Sequence, residues 1–443
     1  MNKDTDIILS PTAEKVRALG HHYCIQTIQL AVQEIINCGS SLRGVEKIFE
    51  LYKEFTSLEA PSFSIIRKWL GRIGLYELNR EKEYRTDWIF IVDLTVELGT
   101  QKCLVVLGVT QEYFEQSVLP LEKGLAHQDV QLLAIEIMYS TKGELIEQKL
   151  TELSNKVGYP LQIVSDHGCD LERGIRLYKQ KHPDVIYTYD VTHAMALFIK
   201  YELESSDKYQ SFRVECNQCR RKLQQTELAF LSPPSQRSLC RYFNIENLID
   251  WAQNVLNSPI ETIIELAPNI EPAILNEKLK EKFGWLNNYQ DEILIWNQMV
   301  TTTRSLETQL KTCGINQQSV DTFELDEVLL NTSLSSEFRQ NILEFITSES
   351  SQIPEGKTLL ATSDVLESIF GKYKQFSSKS PIKQMGQMIL NISLCTMNLT
   401  TSVVKQALET VRYVDLEIWL NQVFGQSMLS KRRIVFSGSK DDT

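Results

Sequence analysis

The strongest constraint on this chain is the order of its elements between residues 87 and 203. DWIFIVDLTVEL (87–98) and KCLVVLGVT (102–110) are β-rich runs divided by a GTQ hairpin signal, and QLLAIEIMYS (131–140) is a third. GELIEQKLTELSNKVG (143–158) then reads as a helix ending at Gly158. LQIVSD (161–166) is a fourth strand, CDLERGIRLYKQKHP (169–183) a helix stopped by Pro183, VIYTYD (185–190) a fifth strand and VTHAMALFIKYEL (191–203) another helix. The order β-β-β-α-β-α-β-α implies an α/β fold, with a mixed five-stranded sheet that opens antiparallel and ends parallel.

Two of these runs end in aspartate: Asp93 closes the apolar stretch of the first strand, and Asp166 closes the fourth. A carboxylate at the edge of an apolar layer is costly unless it has a partner. If the first and fourth strands are parallel neighbours, the two carboxylates lie side by side and repel unless a cation sits between them. Magnesium or manganese suits that role, because both prefer oxygen ligands. The alternative is that each aspartate only caps the turn or helix that follows.

Residues 12–86 read as helices. TAEKVRALGHHYCIQTIQLAVQEIINCG ends at Gly39, SLRGVEKIFELYKEF follows with Ser41 as a possible N-cap, and SFSIIRKWLGRIGLYEL comes after a short turn. Two helices about a short turn, the second carrying Arg67, Lys68 and Arg72, have the shape of a helix-turn-helix. Residues 203–355 read as mostly helical, with loop-bearing breaks at 232–238 and 258–272. LLATSDVLESIFGKYKQF (359–376) reads as one further helix, and the tail SGSKDDT as disordered.

Length and composition set bounds. The 443 residues suffice for two or three domains, and 42% hydrophobic with 23% charged content is ordinary for a soluble globular protein. No apolar stretch approaches the ~18–20 residues that span a bilayer, and the first residues lack a signal-type apolar region. A cytoplasmic protein is the expectation. The nine scattered cysteines fit reduced thiols better than a disulfide framework. The net charge of −11 argues against wholesale nucleic-acid binding, but bases cluster locally. Residues 65–85 hold six bases against three acids, Lys372, Lys374, Lys379 and Lys383 lie in an acid-free run, and Lys431, Arg432 and Arg433 stand near the end. Taken singly, each cluster is more simply a solvated face.

In its strand order, its strand-end aspartates and its later helix bearing Glu367, the chain resembles the RNase H-like DDE transposases and retroviral-type integrases. The resemblance covers about residues 87–200 and 358–400. It implies a helical DNA-binding domain (1–86), the first part of a catalytic core (87–202), an all-helical insertion (203–357), the remainder of the core (358–425) and a basic, disordered tail (426–443). The implied activity is metal-dependent DNA cleavage at transposon ends and strand transfer into target DNA. The implied ligands of two Mg2+ or Mn2+ ions are Asp93, Asp166 and Glu367. The partners would be double-stranded DNA, as terminal inverted repeats and target, and a second copy or more of the chain. No membrane is implied, and the location would be nucleoid-associated. SDVLESIFGKYK offers Asp364 as well as Glu367, but Glu367 and Lys374 stand seven residues apart, as one transposase group spaces its glutamate and lysine. The arginine and tyrosine places of that group hold Ser363 and Leu360.

Asp190 and His193, after the fifth strand, are accessory candidates, with Asp190 able to cap the helix that begins at Val191 and His193 to line a cleft. His167 is a weaker one, and Glu97 is left unassigned. Arg67, Lys68, Arg72, Lys372 and Lys374 are the candidate DNA contacts. Cys216 and Cys219 invite a zinc reading, but a structural site needs four ligands and only Cys240 lies near. No phosphate-binding glycine loop and no G-x-S-x-G nucleophile elbow occurs. Two rival functions stand beside the transposase: an RNase H-like nuclease that cuts without joining, and a non-catalytic DNA-binding or scaffold protein.

Overall fold

The structure, a computed structural model, describes residues 16–56, 58–96, 101–235, 241–324, 334–377 and 385–437. It divides into two compact units, Met1–Asp190 with Thr362–Thr443, and Val191–Ala361. Among the described residues no helix is long and apolar enough to cross a membrane.

The first unit contains a five-stranded sheet: β1 (Trp88–Val96), β2 (Lys102–Thr110), β3 (Gln131–Met138), β4 (Gln162–Ser165) and β5 (Ile186–Tyr189), in the spatial order β3-β2-β1-β4-β5. β1–β2 and β2–β3 pair antiparallel, while β1–β4 and β4–β5 pair parallel. The mixed sheet expected from the element order is therefore present, and β1 and β4 are parallel neighbours.

Alternation along the strands assigns the two faces of the sheet. Trp88, Phe90 and Val92 of β1, Ile163 of β4 and Tyr187 of β5 share one core with Ile146, Leu150, Leu153 and Val157 of helix α4 (Gly143–Val157) and with Leu171, Ile175 and Tyr178 of helix α5 (Cys169–Lys181). Trp88 is fixed further by its indole N–H, which donates to Val157 O at 2.9 Å. The residues between these, Ile89, Ile91, Gln162, Val164 and Thr188, face the opposite side and are also buried.

Among the described residues three helices precede the sheet: α1 (Ile25–Ile36), α2 (Leu42–Phe55) and α3 (Phe63–Asn79). Ser41 caps α2, accepting from Gly44 N at 3.0 Å. The first helix starts later than its apolar pattern suggests. Gly20 adopts φ +74°, the chain reverses, and Arg17 pairs with Cys24 as an isolated antiparallel bridge. Helix α3 packs against the later segments Asn391–Cys395, α7 (Thr401–Thr410) and α8 (Tyr413–Phe424). Two further expectations need correction. The helix expected over 359–376 is α6, Asp364–Ser377; ahead of it Leu359 exchanges backbone hydrogen bonds with Ile315. The tail expected to be disordered is helical over α9 (Met428–Ser437), and residues 438–443 lie outside the described ones.

The second unit is helical. Its longest helix, Gln290–Cys313, buries Trp296 against Tyr209 and Phe212, and Phe212 packs on Trp285 and Tyr289. The break expected at 258–272 contains a short helix, Ile260–Leu266.

Candidate carboxylate site

The β1–β4 register pairs Ile91 with Val164 and Val92 with Ser165. Carried one step further, it sets Asp93 beside Asp166, at the ~4.8 Å spacing of neighbouring strands. The β4–β5 register pairs Ser165 with Tyr189, and Asp190 N donates to Ser165 O at 3.0 Å. Asp93 does not close its strand as expected, since β1 stays paired with β2 as far as Val96; it stands just past the last β1–β4 pair, and Asp93, Asp166 and Asp190 thus form a row across the three parallel strands. By parity all three belong to the face opposite the α4–α5 core. Helix α6, which carries Glu367, packs on β1.

The side chains differ in what they do there. Asp93 is half-buried and one carboxylate oxygen accepts from Leu94 N at 2.6 Å. Asp166 is half-buried and accepts from Gly168 N at 3.2 Å, an Asx-type turn that leads into α5. Glu367 is half-buried in the first turn of α6. Asp190 is fully buried, and its carboxylate accepts from both the backbone N–H of Ser363, at 2.9 Å, and the Ser363 hydroxyl. Asp190 was expected to cap its own following helix; the structure joins it to the start of α6, 173 residues away in sequence. Among the described residues no group of three or more His, Cys, Asp or Glu side chains is gathered at metal-ligand separation.

Around the row, the His167 ring stacks flat on Tyr189, with centroids 3.6 Å apart. Burial, the largest influence, holds His167 below its ordinary pKa. His193 is half-buried in the first turn of the helix Val191–Glu204, within the second unit. Lys374 is exposed, and the unbroken course of α6 keeps it two turns beyond Glu367. Lys372 is half-buried. Its charge, after burial, helps hold His127 below the ordinary histidine pKa. His127, on the β2–β3 connection, meets Ser368 Oγ at 3.0 Å, directly beside Glu367. Sequence reasoning missed His127 and gave Ser363 no role. Both make their contacts across long sequence separations, and nothing in their local patterns marks them.

The basic run ahead of the sheet is largely structural. Arg72 donates to Val411 O at 2.6 Å and Leu408 O at 2.5 Å, and its guanidinium lies 3.1 Å from the His21 ring. Lys82 is buried against Glu77 at 2.5 Å, Arg80 chelates the same carboxylate, and Arg85 binds Asp87 and Glu112. Arg67 and Lys68 are exposed, and Lys68 stands over the Tyr413 ring at 4.1 Å. Lys379 and Lys383, like Glu97 and Cys240, lie outside the described residues. Cys216 and Cys219 are buried in the second unit, where burial pushes both thiols up, Cys219 to about 11. A raised pKa favours the neutral thiol over the thiolate that zinc binds.

No protein-family model matches the chain, and no curated protein matches it. Among solved structures the chain is similar to one described as "Drosophila P element transposase strand transfer complex", with a TM-score of 0.31 and 12% identity over 99% of this chain and 91% of that one. A likeness at that level assigns neither family nor activity.

Proposed function

We propose that this chain is a DNA transposase built on an RNase H-like sheet, in which Asp93, Asp166 and Glu367 hold two Mg2+ or Mn2+ ions. The observation that supports this reading is the parallel pairing of β1 with β4, whose register, carried one step past Val92 and Ser165, would bring Asp93 alongside Asp166 on one face, with the Glu367 helix packed on β1. The donor set fits hard divalent cations in chemistry: three oxygen ligands and no sulfur. It fits in frame as well, although the side chains do not form a closed cage, since Asp93 and Asp166 each turn an oxygen onto a local backbone N–H. Closing it requires the carboxylates to rotate inward.

Held by Asp93, Asp166 and Glu367, two such ions would supply charge stabilisation for the attacking and leaving oxygens of an in-line displacement at phosphorus. The chain's own part is to fix the three carboxylates on rigid elements: one within β1, one directly after β4 and one on α6. Arg67 and Lys68 on α3, with Lys372 and Lys374 on α6, supply cationic contacts for the phosphates of terminal repeats and target. Arg72 is bound to the carbonyls that end α7 and contributes to the shape of that surface rather than to phosphate binding. Joining two ends calls for a homodimer or larger assembly. The helical segment 203–357 is then an insertion into the core, and residues 1–86 its DNA-binding arm.

A second reading is favoured by the local hydrogen bonds of Asp93 and Asp166: a DNA-binding scaffold in which both only shape turns. The test is a nicking and strand-transfer assay on DNA bearing candidate terminal repeats, with Mg2+ or Mn2+. The expected result is cleavage and joining of a pre-cut end, with Asp93→Asn and Asp166→Asn reducing both by about 10^3-fold or more while DNA binding persists. DNA binding with no metal-dependent nicking would establish the scaffold, and nicking without joining the nuclease.

A further inference from the structure

The chain leaves the first unit after Asp190 and returns at Thr362. At that point Asp190, with no exposed surface, accepts two hydrogen bonds from Ser363, itself buried. On the other side of the same crossing Val191 N donates to Ala361 O at 2.9 Å. The two passages of the chain are therefore stapled together at the residue directly before α6. Ser363 precedes the first helical residue, Asp364, and Leu366 N donates back to Ser363 O at 2.8 Å. Thr362 Oγ1 adds a second local tie, accepting from Asp364 N at 3.2 Å.

Burying a carboxylate is expensive unless donors and a favourable field replace water. Here the donors are the Ser363 N–H and O–H, and the field is that of the α6 N-terminus, whose unpaired N–H groups favour an anion. Glu367 lies four residues after Ser363, one turn along the same helix face. Whatever fixes Ser363 thus sets the height and rotation of Glu367 on α6, the helix that packs on β1.

We propose that Asp190 is a positioning residue: by accepting both the N–H and the hydroxyl of Ser363 it locks the first turn of α6 and so places Glu367 over the Asp93–Asp166 pair. The inference rests on the reading of Glu367 as a metal ligand. Asp190 itself does not hold the ion. Its row position beside Asp166 lets the strand that ends in one carboxylate carry the anchor for another.

The test uses the full chain in two stages. In metal-free protein, amide hydrogen exchange at residues 363–367 is compared among the native chain, Asp190→Asn, Ser363→Ala and Ser363→Thr. Exchange in the first two variants is expected to rise about tenfold, while Ser363→Thr, which keeps the hydroxyl, stays near the native rate. In the second stage Mn2+ binding and the Mn2+ dependence of nicking are measured. Asp190→Asn and Ser363→Ala are each expected to raise the half-saturating Mn2+ concentration by about fivefold or more, and the double variant to be no worse than the poorer single one, because the two act as one unit. Unchanged exchange at 363–367, or a lowered thermal midpoint with unchanged Mn2+ half-saturation, overturns the positioning role. If the native chain binds no Mn2+ and cuts no DNA while exchange still responds to Asp190→Asn, the functional reading fails, and the lock survives only as a fold element.

Discussion

Gly158 shows how one position can be legible in sequence while its reason is not. The sequence marks it as the end of a helix, and it is the residue after α4. In the structure it adopts φ +101°, and a Cβ there would lie 1.8 Å from the carbonyl oxygen of Arg85. Both the dihedral and the close approach exclude a side chain. Gly158→Ala is expected to destabilise the first unit by about 2 kcal/mol or more, read as a lowered midpoint in denaturant. A cost under ~0.5 kcal/mol would mean that the segment around Arg85, ahead of β1, shifts freely. The cysteines make a second residue-scale case. Cys38, Cys169 and Cys313 are exposed, whereas Cys24, Cys103, Cys216, Cys219 and Cys395 are buried. A thiol reagent at neutral pH should modify these three exposed positions ahead of the five buried ones, as mapped by mass spectrometry. Prompt modification of Cys216 or Cys219 would contradict the burial that raises their pKa.

At the scale of elements, the sheet was readable because its order follows from where turns, helices and β-rich runs fall, and because strand parity assigns every side chain to a face. Pairing Asp93 with Asp166 needed one condition more, that the first and fourth strands be parallel neighbours, and the sheet order meets it. Tertiary bonds were not readable. Arg72 belongs to a basic run that looks like a phosphate-binding face, yet its guanidinium bonds to the carbonyls of Leu408 and Val411, more than 330 residues away. Nothing in the composition of α3 distinguishes Arg72 from Arg67. The same holds for Asp190, whose position after β5 suggests a local cap while its partner sits at the start of α6. Arg72→Met keeps much of the aliphatic stem but removes the donors, leaving buried carbonyls unpaired. The expected cost is about 1–3 kcal/mol, with no loss of the sheet's circular dichroism signature. An unchanged thermal midpoint would show that water replaces the guanidinium without penalty.

At the scale of the whole molecule, the two units have cores of different kinds. The first is built on the aliphatic and aromatic layer beneath the sheet, around Phe90, Val92, Ile163 and Tyr178. The second is built on aromatic rings, with Phe212 against Trp285, Tyr289 and Trp296, and Trp285 against Tyr289. Two cores linked by chain crossings at 190–191 and 361–362 are expected to unfold as two calorimetric transitions rather than one. The alkaline limb identifies the second. Cys219 has a folded pKa of about 11, raised by burial, so the unfolded chain releases its proton at a lower pH than the folded one. Its contribution is complete below the unfolded value of about 8.5 and is lost as pH rises from there toward 11. Cys219→Ala removes that titration while leaving a small cavity. The transition of Val191–Ala361 should therefore move down slightly at pH 7 and fall less steeply than the native one between pH 8.5 and 10, with the other transition unmoved. One merged transition, displaced as a whole by Cys219→Ala, would show that the two units fold as a single cooperative body.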